Sequence, residues 1–255
     1  MVYAGDTLLS RYMKDRREKA GLTIPQLAAV METMTEGVSQ SSIEKYENGS
    51  RKPTDKALAA WFDGVGVNYW YRDKIRELLS PELFQHEYGE IPEQPIPEDI
   101  EVLNSLGIPA AFLSDPMWGL LAANDQFLTM FPGLEPGMNV ALWMLTSPVA
   151  RLQIVNWDLR THMLIAGIKG IAPGIVPDAE IEDFCAQGSK MREFQTFWDE
   201  DPTTEQLLNS DVILRDQPHA RGGRYISRTG RWFHPRRRNL LYTLSYTETP
   251  SPFPA

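Results

Sequence analysis

Gln40, Ser41, Ser42, Glu44, Lys45 and Asn48 stand close together in the chain, and every one of them can donate or accept hydrogen bonds. On a helix they lie opposite a narrow apolar strip, Val38 just outside with Ile43 and Tyr46 inside, at helical spacing. Such a row suits the edges of base pairs in a major groove, where sequence is displayed as a pattern of donors and acceptors. Ser39 can cap this helix, because its hydroxyl can accept an unpaired N–H of the first turn. Asn48-Gly49 closes it with residues that tolerate positive φ. A two-turn helix with so little apolar surface must be held by neighbours.

Those neighbours are legible on both sides. Leu8, Leu9, Tyr12 and Met13 start a first helix that stops at Gly21. Thr23 and Gln26 form a capping-box pair for a second, with Pro25 in its first turn and Leu27, Ala28, Val30 and Met31 inward. Pro53-Thr54 restarts the chain into a helix over 55–65, and a fifth runs over 69–79. Arg16-Arg17 and Arg51-Lys52 are local clusters that could meet phosphate.

The pattern Arg16-Arg17-x-x-x-Gly21-Leu22-Thr23, Gln26-Leu27-Ala28, Val38-Ser39-Gln40-Ser41-Ser42-Ile43-Glu44-x-Tyr46-Glu47-Asn48-Gly49-x-Arg51-x-Pro53 resembles the XRE family, the group of the lambdoid phage repressors and Cro. The resemblance covers residues 8–67. It implies a lambda-repressor-like helix-turn-helix bundle bound to double-stranded DNA, with Gln40 and Ser41 reading bases, Ser42 and Lys45 next to them, and Asn48 near the backbone; Arg17 and Arg51, from the basic clusters, are further candidate DNA contacts. Two departures stand out: Ile24 occupies a position where the family usually has Gln, and residues 32–37 lengthen the usual tight turn between helices two and three. Glu44 could accept from cytosine N4, or pair with Lys45 or Arg51 within the scaffold.

The net charge of −9 divides unevenly. Residues 1–80 hold 12 Lys+Arg against 11 Asp+Glu, whereas residues 81–255 hold 13 against 23. The acidity belongs to the second part and leaves a DNA-binding first part open. The single cysteine, Cys185, excludes a disulfide framework or a thiolate cluster from one chain. No apolar run has the length of a membrane span, and the first residues lack the form of a signal peptide, so a cytoplasmic protein is expected. The histidines, His86, His162, His219 and His234, are scattered without metal-ligand spacing, and no Gly-rich phosphate loop appears. No catalytic constellation is visible, and a non-enzyme without cofactor or metal is expected.

Prolines and acids crowd residues 81–99, which read as a linker between a domain at 1–80 and another at 100–255. Beyond it come a short helix over 100–106 and strands at 108–113 and 118–123. Helices follow at 124–131, 139–145, 149–168, 178–187 and 189–199, and then strands at 212–214, 224–227, 232–234 and 240–247. Two strands, a run of helices and several strands again is the order of a PAS-like α+β domain.

This half resembles the MmyB-like ligand-binding domain, which often follows an XRE domain in bacterial regulators. The residues concerned are Ile108-Pro109-Ala110, Asp115-x-x-Trp118, Ala123-Asn124, Asn139-Val140, Ser147-Pro148-x-Ala150-Arg151, Trp157, Glu193-Phe194-x-x-x-Trp198 and His234-Pro235. The resemblance implies a pocket for a long apolar small molecule such as a fatty acid. Phe112, Trp118, Phe127, Phe131, Trp143, Trp157, Met163, Phe194 and Trp198 are the candidate lining, though any one of them packs a core equally well. Arg151, Arg160 and His162 are candidate donors to a carboxylate. Arg236-Arg237-Arg238 is a solvated turn or a DNA-flanking contact. The sequence thus suggests a homodimeric transcriptional regulator whose DNA affinity follows a small effector. A C-terminal dimerisation or docking module and a small-molecule enzyme remain as alternatives.

Overall fold

The computed structural model describes residues 7–79, 93–230 and 239–252, and they fall into two compact units. The first joins residues 7–79 to Lys169–Glu182; the second holds residues 93–168 and those from Asp183 onward.

In the first unit, α1 (Leu8–Lys19), α2 (Ile24–Glu32), α3 (Gln40–Glu47), α4 (Asp55–Gly64) and α5 (Tyr69–Leu78) surround one core. Local chemistry starts each helix. Thr23 accepts from the Gln26 N–H, while the Gln26 carboxamide accepts from the Thr23 N–H at 2.8 Å. Ser39 accepts from the Ser42 N–H, and Thr54 from the Ala57 N–H, both at 3.2 Å. Caps of this kind contribute about 1 kcal/mol each. Between them, Tyr12, Met13, Leu27, Met31, Ile43, Trp61, Phe62 and Ile75 are fully buried. The long connection after α2 first winds on as turns, with Met34 and Thr35 N–H groups both donating to the Met31 carbonyl. It then reverses at Gly37, whose φ of 82° is open to glycine.

Lys169–Glu182 belongs to this bundle by packing. Ile171 and Ile175 join its core, and Lys19 pairs with Asp178 at 2.7 Å. At Gly170 a Cβ would lie 2.5 Å from the Tyr71 ring, so that approach requires glycine. The sequence reading ran the second domain unbroken from residue 100; packing assigns this stretch to the helical bundle.

The second unit opens with α6 (Pro97–Ser105), three residues earlier than read; Pro97 takes the first helical position, where its missing N–H costs little. Then come, in chain order, β1 (Ala110–Leu113), β2 (Leu120–Ala123), α7 (Asp125–Met130), α8 (Val140–Thr146), α9 (Pro148–Gln153), α10 (Trp157–Ile171) and α11 (Asp178–Gly188), of which residues 169–171 and 178–182 count with the first unit, and α12 (Phe194–Asp199) and α13 (Thr204–Leu208). β3 (Asp211–Leu214), β4 (Gly223–Gly230) and β5 (Leu240–Thr247) complete an antiparallel sheet of order β2-β1-β5-β4-β3. The α+β class and the PAS-like chain order are both present. Asn124 caps α7 as expected and does more: it accepts from the Phe127 and Ala110 N–H groups and donates to the Ile108 carbonyl at 2.8 Å. The connector residues 80–92, the strand read at 232–234 and the Arg236–Arg238 run lie outside the described residues.

One element differs in kind. The long helix expected over 149–168 is two, because Ile154-Val155-Asn156 leaves helical geometry and lies along β3. Val155 donates to the Ile213 carbonyl at 2.7 Å, and Arg215 to that of Gln153 at 2.9 Å. The Asn156 side chain donates to the Asp211 carbonyl and accepts from the Ile213 N–H. On the far side of the sheet, residues 137–140 exchange backbone bonds with Trp118 and Leu120 in the same way.

A recognition face and a ligand cavity

On α3 the side chains divide as the apolar strip demands. Ile43, Tyr46 and Val38 are buried, whereas Gln40, Ser41, Glu44, Lys45 and Asn48 are exposed. Two expected contact residues do not belong to the outer face. Ser42 is 7 % exposed, and its hydroxyl lies 3.2 Å from that of Ser39, so it completes the cap from within. Arg17 is 8 % exposed and forked onto Glu47, with Nε donating to Oε1 at 2.7 Å and Nη2 to Oε2 at 2.8 Å. Its Nη1 donates to the Leu22 carbonyl at 2.9 Å. This geometry leaves Arg17 no hand for phosphate: it ties α1 to the last turn of α3. The Glu47 carboxylate raises the pKa of Arg17 further and keeps it charged. The acid that pairs is thus Glu47; among the described residues Glu44 has no ion pair and stays on the outer face.

The turn after α3 is also prepared. The Asn48 carboxamide oxygen accepts from the Ser50 N–H at 3.0 Å, which leaves its NH2 as a donor toward solvent. Arg51 is exposed and stands over the Tyr46 ring at 5.9 Å. Gln40, Ser41, Lys45, Asn48 and Arg51 therefore form one accessible surface.

In the second unit, the inner sheet face, helices α7, α8 and α10, and Leu207 of α13 border a partly open cavity of about 250 Å³. Trp118, Phe127, Phe131, Trp143 and Met163, all expected, line it; Leu113, Leu134, Val140, Met144, Leu164, Leu207, Val212 and Tyr242 extend the apolar wall. Were such a void sealed and dry, it would forgo on the order of 6 kcal/mol at about 24 cal/mol per Å³. That is comparable with the whole stability of a domain. Trp118 sits in the wall with φ 59°, a left-handed conformation unusual for a large side chain. Its N–H donates to the Ser114 carbonyl and its carbonyl accepts from Val140, which fixes the strained residue from both sides.

The remaining expected lining residues lie elsewhere, each for a definable reason. Phe112 points to the other face of β1, where it packs with Leu103 of α6, because alternate strand residues face opposite ways. Trp157 is a core residue whose Nε1 donates to the Met144 carbonyl at 2.7 Å. Phe194 and Trp198 stack with rings 5.6 Å apart and close on Phe184 instead. Arg151 is exposed, 4.0 Å above the Trp157 ring and paired with Glu193 at 2.7 Å; its guanidinium holds that carboxyl below its usual range. His162 is stacked on Phe197 and bonded to the Glu200 carbonyl.

Of the three candidate donors only Arg160 reaches the cavity, at a polar end shared with Asn209, Ser210, Ser227 and Thr229. The sequence carries one signal for this end: Asn209, Ser210 and Asp211 are polar residues entering an apolar strand. Among the described residues no group of three or more His, Cys, Asp and Glu could hold a metal ion, and no helix is long and apolar enough to cross a membrane.

Comparison with known families follows the same division. Residues 8–69 match a helix-turn-helix domain, and residues 99–210 match the MmyB-like transcription regulator ligand binding domain. The second match stops before β3, so the wall supplied by Val212, Ser227, Thr229 and Tyr242 comes from the part of the chain beyond it. No curated protein matches the chain.

Proposed function

Since the chain joins a helix-turn-helix domain to an MmyB-like ligand-binding domain, the composition of a transcription regulator, we propose that it binds operator DNA through α3 and that a small apolar, fatty-acid-like effector in the cavity changes that affinity. The observation that carries this reading is the outward row Gln40, Ser41, Glu44 and Lys45, polar residues with no part in the core, on a helix pinned by a buried ion pair. Gln40 and Ser41 read base edges, and Asn48, Lys45 and Arg51 meet phosphate. The protein acts as a cytoplasmic homodimer on paired half-sites, because one helix this short covers few base pairs and two multiply affinity. It carries out no catalysis. The effector acts by preferring one of two states of the protein, and DNA prefers the other or the same one.

Selection of operator sequences from random DNA tests the first half. The wild type is expected to enrich a two-fold symmetric site, and the Gln40→Ala/Ser41→Ala protein to lose that preference with its fold intact. Enrichment of the same site by the double variant would remove α3 from the role. Titration of the operator complex with medium-chain fatty acids tests the second half. Unchanged DNA affinity at saturation by a bound acid would leave the cavity without a regulatory part.

A further inference from the structure

Glu44 is an acid on the face of α3 that would meet a polyanion, and nothing in the fold accounts for it. At about 100° per residue it falls between Gln40 and Ser41 around the helix, with Asn48 beside it, near the middle of the outward face. It caps nothing: Ser39 caps α3, and the first turn holds no acid. The side chains that helical spacing brings beside it, three and four residues away, are Gln40, Ser41, Glu47 and Asn48, none of them cationic. Lys45 is its chain neighbour and does not face it. The Arg51 guanidinium stands over the Tyr46 ring, which belongs to the opposite, buried strip. Among the described residues no ion pair or hydrogen bond engages the Glu44 carboxylate.

An exposed carboxylate on this face weakens attraction to phosphate wherever it goes unpaired. The major groove offers it one good partner. Cytosine presents the N4 amino donor with no acceptor beside it; adenine sets the N7 acceptor next to its N6 donor, and guanine and thymine present acceptors and no donor. Gln40, which both donates and accepts, suits adenine instead. Gln40 and Glu44 are about 6 Å apart along the axis, against about 3.4 Å between stacked base pairs. With α3 lying in the groove, they address different base pairs.

We propose that Glu44 determines specificity: its carboxylate accepts from N4 of a cytosine in each half-site, and it rejects sites that set guanine or thymine there. Where it meets no cytosine, the same charge holds down binding to random DNA. This rests on the reading of α3 as the DNA-contacting helix, and adds to it the identity of one base.

Operator selection from a random duplex pool, with the full chain as wild type, Glu44→Ala and Glu44→Gln, tests the assignment. The wild-type site is expected to carry a symmetric pair of cytosines, and guanine in their place to lower affinity about tenfold or more. Glu44→Ala is expected to flatten the preference at that pair alone. It should also bind random duplex more tightly with the salt dependence unchanged, since no phosphate contact is lost. Glu44→Gln is expected to turn the preference toward adenine, a swap that removal of a charge alone does not produce. Both variants should keep the wild-type melting temperature. Should either fail to fold, wild-type affinity for the four bases at the pair decides the point, and equal affinities overturn the proposal. A wild-type site without such a cytosine, or a Glu44→Ala protein that keeps the preference, overturns the role of Glu44; loss of the site by Gln40→Ala/Ser41→Ala would still leave α3 as the reading helix. If the wild type selects no sequence at all, the reading of α3 falls with it.

Discussion

The recognition helix and the ligand cavity solve opposite problems with the same kinds of residue. Around α3 the core is closed, and the polar residues proposed to meet DNA point outward, on a helix held by its cap and by the Arg17–Glu47 fork. Around the cavity the polar residues lie at one end, and the rings of Phe127, Phe131, Trp143 and Tyr242 pack on one another yet still border open volume. On the proposed reading, DNA binding by α3 depends on rigidity around an exposed surface, and effector binding in the second unit depends on leaving volume unfilled.

The largest effect expected from breaking this contrast lies at the fork. Glu47→Ala strands a buried guanidinium and should cost about 3–5 kcal/mol of unfolding free energy, read by urea denaturation. A double replacement by apolar residues of similar volume should cost far less. A Glu47→Ala protein as stable as the wild type would mean that the pair is not what holds α3. Next in size, Gln40→Ala/Ser41→Ala should lose about 1–3 kcal/mol of discrimination per base contact without lowering the melting temperature. Ser42→Ala, which faces inward, should do the reverse and lose about 1 kcal/mol of stability while leaving base preference alone.

Filling the cavity sharpens the comparison from the other side. Leu164→Phe puts a ring into the open volume and should raise stability by about 0.5–2 kcal/mol while abolishing ligand binding, measured by calorimetry. The smallest effect belongs to Asp211. Burial alone would raise its pKa, but the Arg224 guanidinium and the Ser251 hydroxyl outweigh burial and hold it below the usual carboxylate range. A carboxyl depressed in the folded state adds stability above its unfolded pKa, and that contribution is lost as pH falls through the folded value. Asp211→Asn should therefore flatten the acid limb of the stability curve below about pH 4 and leave neutral pH dependence unchanged.

Much of the first unit was legible because its determinants are local. The capping box Thr23–Gln26 spans one turn, and the strip Val38, Ile43, Tyr46 shows in the spacing itself. The Arg17–Glu47 fork was not, because its partners lie on different helices and Arg17 in isolation looks like a phosphate ligand. Break points fail for the same reason. Apolar spacing continues through Ile154-Val155-Asn156, and only β3, far along the chain, pulls the segment out of helix. The cavity shows a different limit. All four residues of β1 are buried, so alternation cannot say that Ala111 and Leu113 face the cavity side while Phe112 faces α6. Aromatic content points to the part of the chain that borders the cavity; which rings touch empty space depends on packing that no periodicity encodes.

The segments lying along β3 and beside β2 carry a consequence for self-association. An uncovered marginal strand would offer unpaired N–H and C=O groups to any neighbouring chain, the usual seed of edge-on assembly and fibril growth. Here residues 153–156 occupy that role on one flank and residues 137–140 on the other. Where these segments lie, at Leu120 of β2 and at Ile213 and Arg215 on the β3 flank, the backbone is already paired, so a second copy that met the sheet there would have to do so through side chains, and its affinity would answer to point substitutions rather than to backbone pairing.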